Sequence, residues 1–116
     1  MMRAYQNKKA TFACIIKNIQ TVNRPRLLEL YSPSCGACQA YEPILQQSQN
    51  KYGATIDFQR LNIKEKSNCN LVVVLWLTAI PKTYIFNRKG EIVCELEGCL
   101  DMTTLGKYLQ DPKLLK

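Results

Sequence analysis

A chain of 116 residues is long enough for one domain with a modest hydrophobic core that needs no disulfide bonds to hold it. Its formal net charge is +7, but the 16 basic residues are scattered and not interleaved with aromatic residues, which argues against nucleic-acid binding. The longest apolar run, residues 71–80, is too short to span a bilayer. We therefore expect a single, monomeric domain over residues 1–116 that does not insert into a membrane.

The cysteines and the first residues indicate the compartment. The start of the chain superficially resembles a signal peptide, but Lys17 interrupts its apolar run after five residues. Four of the six cysteines fall in apolar or element-like stretches, and buried free thiols suit a reducing compartment; these are Cys14, Cys69, Cys94 and Cys99. We expect a cytoplasmic protein; the alternative is a soluble extracytoplasmic domain of a membrane-anchored precursor.

Hydrophobic spacing predicts the elements of the N-terminal part. Residues 1–10 are polar and are either flexible or form a short edge strand. Residues 11–21 carry apolar side chains at i, i+3, i+4 and i+7, which predicts an amphipathic helix. Residues 27–31 are apolar except for Glu29, as in a strand that is covered on both faces.

The rest of the chain alternates between helical and extended patterns. In order, we predict a helix over 35–52 with Pro43 inside it, a strand over 55–63, a short helix over 69–75, strands over 83–86 and 91–97, and a last helix capped by Asp101. The crossover between the first two strands predicts that they are parallel, while the final hairpin is antiparallel. This order predicts an α/β fold with a central mixed sheet of four or five strands and helices on both faces.

The stretch Cys35-Gly36-Ala37-Cys38 lies at the first predicted strand-to-helix junction. Such a position places the first sulfur at a helix N-terminus, where free N–H groups and the helix dipole favour a thiolate. The thiolate is the nucleophile in thiol–disulfide exchange, and the second cysteine lies one helical turn further on, within reach. The spacing therefore predicts a redox-active pair, Cys35 and Cys38.

The predicted order of elements, together with this motif, resembles the thioredoxin superfamily. The resemblance covers residues 27–109 and depends on the CxxC, on Pro43 five residues after its second cysteine, and on Ile80-Pro81 about forty residues later. It implies a thioredoxin-like fold in which Cys35 attacks and Cys38 resolves. It also implies a cis bond before Pro81.

The resemblance implies further site residues. Glu29 falls where the family has a buried acid that relays a proton for the second cysteine, and Arg60 falls where a lysine often pairs with that acid. The alternative for this pair is a purely structural role. The implied substrate-binding residues are Ser34, Gly36, Ala37, Trp76, Ala79, Ile80, Pro81 and Cys99.

Several residues depart from the family pattern. Ser34 and Tyr31 replace tryptophans, so the rim around the motif is less aromatic, and residues 64–79 form a longer, more apolar segment. Ala37 replaces the histidine of isomerases, which argues for a more reducing pair, but it also replaces the proline of thioredoxins, which argues for the opposite. The implied activity is reduction of protein disulfides with electrons from a reductase partner, and no metal or organic cofactor beyond the Cys35–Cys38 disulfide.

The sequence also allows other functions and other roles for individual residues. The protein is alternatively a disulfide oxidase or isomerase, a non-catalytic interaction domain, or a metal-binding module that uses Cys35 and Cys38 with Cys94 and Cys99. Cys99 is either a regulatory thiol near the groove or a small, partly buried residue, and it alternatively pairs with Cys94. The stripe from Leu71 to Trp76 is interpreted as core, the alternative being an exposed Trp76 that lines the peptide groove.

Overall fold

The structure is a computed structural model, and it describes residues 23–68 and 70–116. Its centre is a four-stranded mixed sheet in the order β2-β1-β3-β4. The strands are β1 (Arg26–Tyr31), β2 (Asp57–Asn62), β3 (Lys82–Phe86) and β4 (Ile92–Glu97). Strand β1 runs parallel to β2, and β4 is antiparallel to β3, as the sequence predicts. Strand β1 also pairs with β3, in the antiparallel direction.

Three helices accompany the sheet: α1 (Gly36–Tyr52), α2 (Asn70–Val74) and α3 (Met102–Leu109). Short 3₁₀ turns lie at Lys66–Asn68 and Pro112–Leu115. The order of the described elements matches the prediction, although β2 is shorter than residues 55–63. The predicted strand and helix within residues 1–21, and Cys14 and Cys69, lie outside the described residues. None of the described helices has both the length and the apolar character needed to cross a membrane.

The two faces of the sheet carry separate hydrophobic clusters because side chains alternate along a strand. On one face Leu27 packs in a cluster that includes Tyr41 and Leu45 of α1 and Leu105 of α3. On the other face, the cluster comprises Leu28, Leu30, Leu71, Leu75, Tyr84 and Phe86. Covering both faces confirms the predicted α/β fold and explains why β1 is apolar along almost its whole length.

The stripe from residue 71 to residue 76 is a mixture of buried and exposed side chains. Leu71 and Leu75 are buried, but Val72, Val73 and Trp76 are 37%, 73% and 71% exposed. The interpretation of this stripe as core is therefore wrong for these three residues. The reason is the shortness of α2: it offers only one narrow face to the sheet, and the chain leaves the helix at Trp76, whose φ is 51°.

Candidate active site

The two cysteines of the motif lie where β1 gives way to α1. A turn over residues 32–34 connects the strand to the helix, and the backbone N–H of Cys35 donates to the Ser32 carbonyl at 3.1 Å. Cys35 is the N-cap of α1, with extended backbone angles, and its Sγ accepts a hydrogen bond from the backbone N–H of Cys38 at 3.1 Å. A backbone donor aimed at this sulfur stabilises negative charge there, which is the charge that the attacking thiolate carries.

The two sulfurs lie in unequal surroundings. Cys35 is partly exposed, whereas Cys38 is only 1% exposed, and both are free thiols. Burial raises the pKa of the Cys38 thiol to about 11, and its hydrogen bond with Cys35 and the charge of Glu29 act in the same direction. Cys35 is therefore accessible to another molecule, and Cys38 stays protonated until a base takes its proton.

The segment before β3 lies against Cys35. The Cys35 thiol donates to the carbonyl of Ile80 at 3.8 Å, and the Ile80–Pro81 peptide bond is cis. The Pro81 carbonyl in turn accepts a hydrogen bond at 2.8 Å from the N–H of Gly98, the residue before the exposed Cys99. Segments that are distant in sequence thus meet beside the reactive sulfur.

Glu29 is a charged residue at the centre of the sheet. It is fully buried, and its Oε1 accepts a hydrogen bond at 2.6 Å from Nε of Arg60, which is opposite it on β2. Burial raises the pKa of Glu29 above its ordinary value, although the hydrogen bond and charge of Arg60 oppose this. A carboxyl with a raised pKa is better matched to accept a proton from a thiol.

Arg60 is held by more than Glu29. Its guanidinium lies over the ring of Tyr31, 4.0 Å from the centroid, and its NH1 is 3.7 Å from Oε1 of Glu42. Burial disfavours its charge, but the hydrogen bond and charge of Glu29 outweigh burial and raise the pKa of Arg60. Glu29 and Arg60 are predicted from the sequence, whereas Glu42 is not. The role of Tyr31 is not predicted either, although Tyr31 follows Glu29 by two residues and so shares its side of the strand.

The other sequence-predicted site residues lie around this centre or close to it in the chain. Ser34, Gly36, Ala37 and Ala79 are exposed, in the turn before α1, in its first turn and next to Ile80. The Ser34 hydroxyl is 3.0 Å from that of the buried Ser32. Trp76 is exposed four residues before Ile80. The side chains of Tyr41 and Thr83 share a buried hydrogen bond of 3.1 Å, for which the sequence offers no signal.

Four-cysteine metal binding finds no support in the geometry. Within residues 23–68 and 70–116, no group of three or more cysteine, aspartate or glutamate side chains is placed to hold a metal ion. Cys94 lies in β4 and Cys99 lies after its end, and both are free thiols rather than partners in a disulfide. The dithiol at Cys35 and Cys38 is therefore the chemical centre of the described structure.

Comparison with known proteins gives consistent matches. The thioredoxin family model matches residues 4–111. The chain is 30% identical over 105 residues to the chloroplastic thioredoxin Y of Oryza sativa subsp. japonica, covering 90% of this chain and 61% of the rice protein. A thioredoxin of Pyropia yezoensis is 25% identical over 101 residues, covering 87% of this chain and 92% of that protein.

Two further matches concern function and fold. A protein of Brevibacillus choshinensis described as a disulfide bond formation protein is 28% identical over 85 residues, 73% of this chain and 70% of that one. The crystal structure of oxidised thioredoxin O2 from Arabidopsis thaliana superposes with a TM-score of 0.69 at 21% identity, covering 90% and 89% of the two chains, which shows the fold. Together with the Cys35–Cys38 pair, the thioredoxin matches support thiol–disulfide oxidoreductase activity.

Proposed function

Because the chain belongs to the thioredoxin family, we propose that it reduces disulfide bonds in other proteins with the Cys35–Cys38 dithiol. The observation that carries this proposal is the unequal placement of the two sulfurs. Cys35 is reachable from solvent and accepts a backbone hydrogen bond, whereas Cys38 is buried with a pKa of about 11. This arrangement suits one sulfur for attack on a partner and the other for release of that partner.

The proposed reaction has two steps. The Cys35 thiolate attacks one sulfur of the substrate disulfide, which forms a mixed disulfide and expels the other substrate sulfur as a thiolate. Cys38 then loses its proton and attacks Sγ of Cys35, which releases the second substrate sulfur. The two electrons of the dithiol end on the substrate, and the enzyme is left with a Cys35–Cys38 disulfide.

In this mechanism Glu29 accepts the proton of Cys38. A carboxylate with an ordinary pKa is a poor base for a thiol of pKa about 11, but burial raises the pKa of Glu29 and narrows this difference. Arg60 positions Glu29 through its 2.6 Å hydrogen bond and balances its charge. Because the guanidinium keeps its proton across the working range of thiols, it acts only through charge and position.

The surface around Cys35 is the proposed substrate slot. Its exposed or partly exposed members are Ser34, Gly36, Ala37, Ala79, Ile80 and Cys99, with Trp76 at one side. Pro81 also belongs to the slot, although its side chain is fully buried. The substrates are protein disulfides, and a separate reductase protein returns electrons to the oxidised pair. No metal or organic cofactor is needed because the dithiol carries both electrons. We further propose that residues 1–116 act as one monomeric domain in the cytoplasm, where the surroundings are reducing, or alternatively in an extracytoplasmic space.

Oxidation of substrate thiols is the second candidate function. It is favoured by the likeness to the Brevibacillus protein described as a disulfide bond formation protein. The reduction potential of the pair separates the two, and about 30 mV corresponds to ~1.4 kcal/mol, so small changes beside Cys35 decide the direction. A pair that glutathione at a cytosolic ratio holds oxidised would favour the oxidase function over the reductase function.

An insulin-reduction assay tests the proposed function directly. We expect wild type to precipitate insulin in the presence of dithiothreitol well above the background rate, and Cys35→Ser to return to that background. Cys38→Ser is expected to accumulate a mixed disulfide, because the partner is attacked but not released. Cys94→Ser provides a matched cysteine replacement away from the site. Equal rates for wild type and Cys35→Ser would exclude Cys35 as the nucleophile.

A further inference from the structure

A row of polar side chains crosses the middle of the sheet on the face that α1 covers. Glu29 of β1 lies opposite Arg60 of β2 and opposite Thr83 of β3. Directly opposite residues of paired strands point to the same face of a sheet, so these three side chains lie side by side. Leu27, two residues before Glu29, packs in a cluster with residues of α1, which identifies the face. The row therefore lies beneath the helix that carries Cys38.

Tyr41 brings a hydroxyl group from α1 to this row. It follows Cys38 by three residues and so lies on the same side of the helix. Its hydroxyl is 3.1 Å from that of Thr83, and both residues are fully buried, as is Glu29. Burial raises the pKa of Tyr41 to about 12, and the negative charge of Glu29 acts in the same direction. The Tyr41 and Thr83 hydroxyls, which we call the hydroxyl pair, therefore lie close to a buried carboxyl group.

The hydrogen bonds of this row do not use every donor and acceptor. Oε1 of Glu29 accepts from Arg60, whereas Oε2 is buried and has no hydrogen-bond partner among the described residues. The hydroxyl pair has two protons, and its internal bond uses only one. A phenol is more acidic than an aliphatic alcohol, so Tyr41 donates and the proton of Thr83 is left over. This donor belongs to the cross-strand neighbour of the carboxyl group whose second oxygen lacks a hydrogen bond.

We propose that the hydroxyl pair is a positioning group for Glu29, in which Thr83 turns its proton toward Oε2 and stabilises the charged carboxylate. The proposal rests on the proposed disulfide reduction, because it assigns the hydroxyl pair to the step in which Glu29 takes the proton of Cys38. Burial favours the neutral acid, which cannot accept that proton, and the hydroxyl pair counteracts burial. A hydroxyl proton rotates about its C–O bond, so it turns toward Oε2 when Glu29 is charged and away when Glu29 is protonated. The two hydroxyls keep their own protons throughout.

Other titratable groups also act on this site. Burial raises the pKa of Glu29, Arg60 of β2 opposes this rise, and the charge of Glu42 on α1 adds to it. Cys38 of α1 interacts with the charge of Glu29, and the exposed Cys99 after β4 interacts with the phenol of the hydroxyl pair. All of these groups remain when a hydroxyl is removed. A changed pKa of Glu29 in such a variant therefore reports the hydroxyl pair.

Two replacements of Thr83 test the proposal. Thr83→Val removes the hydroxyl and keeps the shape of the side chain, whereas Thr83→Ser keeps the hydroxyl and removes a methyl group. The pKa of Glu29 is measured in the reduced protein by carbon NMR of its carboxyl group. We expect Thr83→Val to raise this pKa by about one unit, the scale of one lost hydrogen bond to a charged group. Thr83→Ser should leave it unchanged.

The pH profile of mixed-disulfide release provides a second measurement, made with a small aromatic disulfide. Release needs the charged carboxylate, so its rate should fall about tenfold per pH unit below the pKa of Glu29. This acidic limb should move up by about one pH unit in Thr83→Val and stay in place in Thr83→Ser. A merely structural hydroxyl would change the free energy of unfolding without moving the limb.

Two tyrosine variants complete the set. Tyr41→Phe leaves the proton of Thr83 but removes the donor that orients it, so both measurements should shift in the same direction by a smaller amount. Tyr84→Phe is the matched control, because Tyr84 follows Thr83 on β3 and packs in the cluster on the opposite face. It should shift neither measurement. Dispersed NMR signals verify that each variant is folded.

The outcomes separate this proposal from the one on which it rests. Wild type that reduces the aromatic disulfide, with an unchanged pKa of Glu29 in Thr83→Val, overturns the role of the hydroxyl pair and leaves disulfide reduction standing. A raised pKa with an unmoved acidic limb also overturns that role, because release would then not depend on the charge of Glu29. If Thr83→Val does not fold, an unshifted pKa in Tyr41→Phe overturns it instead. Wild type that reduces no disulfide overturns both proposals.

Discussion

Replacing Glu29 by glutamine tests the proton transfer to Glu29 most directly. The pKa of Cys38 is about 11, so at pH 7 only about one Cys38 in ten thousand is a thiolate, a deficit of ~5 kcal/mol at ~1.4 kcal/mol per pH unit. A positioned base typically contributes about 10²–10⁴-fold to such a step. We expect Glu29→Gln to slow the release of the mixed disulfide at neutral pH by about 100-fold. The remaining rate should rise about tenfold per pH unit until Cys38 ionises.

The two roles of Glu29 have opposite signs, which makes the test decisive. The negative charge of Glu29 raises the pKa of Cys38, so removing it makes Cys38 easier to ionise and by itself accelerates the step. Loss of proton transfer from Cys38 to Glu29, in contrast, slows the release of the mixed disulfide. A rate in Glu29→Gln that equals or exceeds that of wild type would therefore refute the relay and leave Glu29 as a purely electrostatic or structural residue.

Stopped-flow mixing with a chromogenic aromatic disulfide measures both steps in one trace. One aromatic thiolate is released when Cys35 attacks and the second when Cys38 resolves. The first phase reports whether the site is assembled, so a folding defect is distinguished from lost proton transfer. Arg60→Lys keeps the positive charge beside Glu29 and is the matched control, whereas Arg60→Met removes that charge and should raise the pKa of Glu29 further.

Two further predictions concern stability. Tyr41→Phe should lower the free energy of unfolding by about 1–2 kcal/mol in urea titrations. The reason is that it removes the buried hydrogen bond to Thr83 and leaves the Thr83 hydroxyl without that partner. An unchanged free energy of unfolding would mean that a water molecule takes the place of the Tyr41 hydroxyl. Asp101→Asn should remove the part of the acid-induced loss of stability that Asp101 contributes. Hydrogen bonds from Thr104 lower the pKa of Asp101, so its contribution to stability is present above about pH 4 and is lost as the pH falls through the lower folded-state value. Wild type and variant should therefore run parallel from neutral pH to about pH 4 and differ in slope below it. Parallel curves would contradict a charged cap.

The sequence predicted the architecture because the relevant signals are local. The alternation of Leu27 and Leu28 toward opposite clusters follows from the strand period, and Asp101 caps α3 as its position before an apolar run indicates. The CxxC predicted the Cys35–Cys38 pair because two cysteines at this spacing, at a strand-to-helix junction, lie one helical turn apart. These features need no knowledge of residues distant in sequence.

The errors and omissions have a different origin. Hydrophobicity alone could not distinguish Leu75, which is buried, from Trp76, which is exposed, because the left-handed backbone of Trp76 changes the direction of its side chain. The contact between Glu42 and Arg60 depends on how α1 lies across β2, which no local pattern encodes. The Tyr41–Thr83 bond likewise joins residues 42 positions apart.

The exposure of Trp76 also determines how the protein should be observed. It is the only tryptophan in the chain and stays largely in water in the folded state. Intrinsic fluorescence, which normally reports the collapse of a core, will consequently change little on unfolding here. The same emission should shift to shorter wavelength when an apolar peptide covers the indole, so the protein carries its own optical probe of a bound partner.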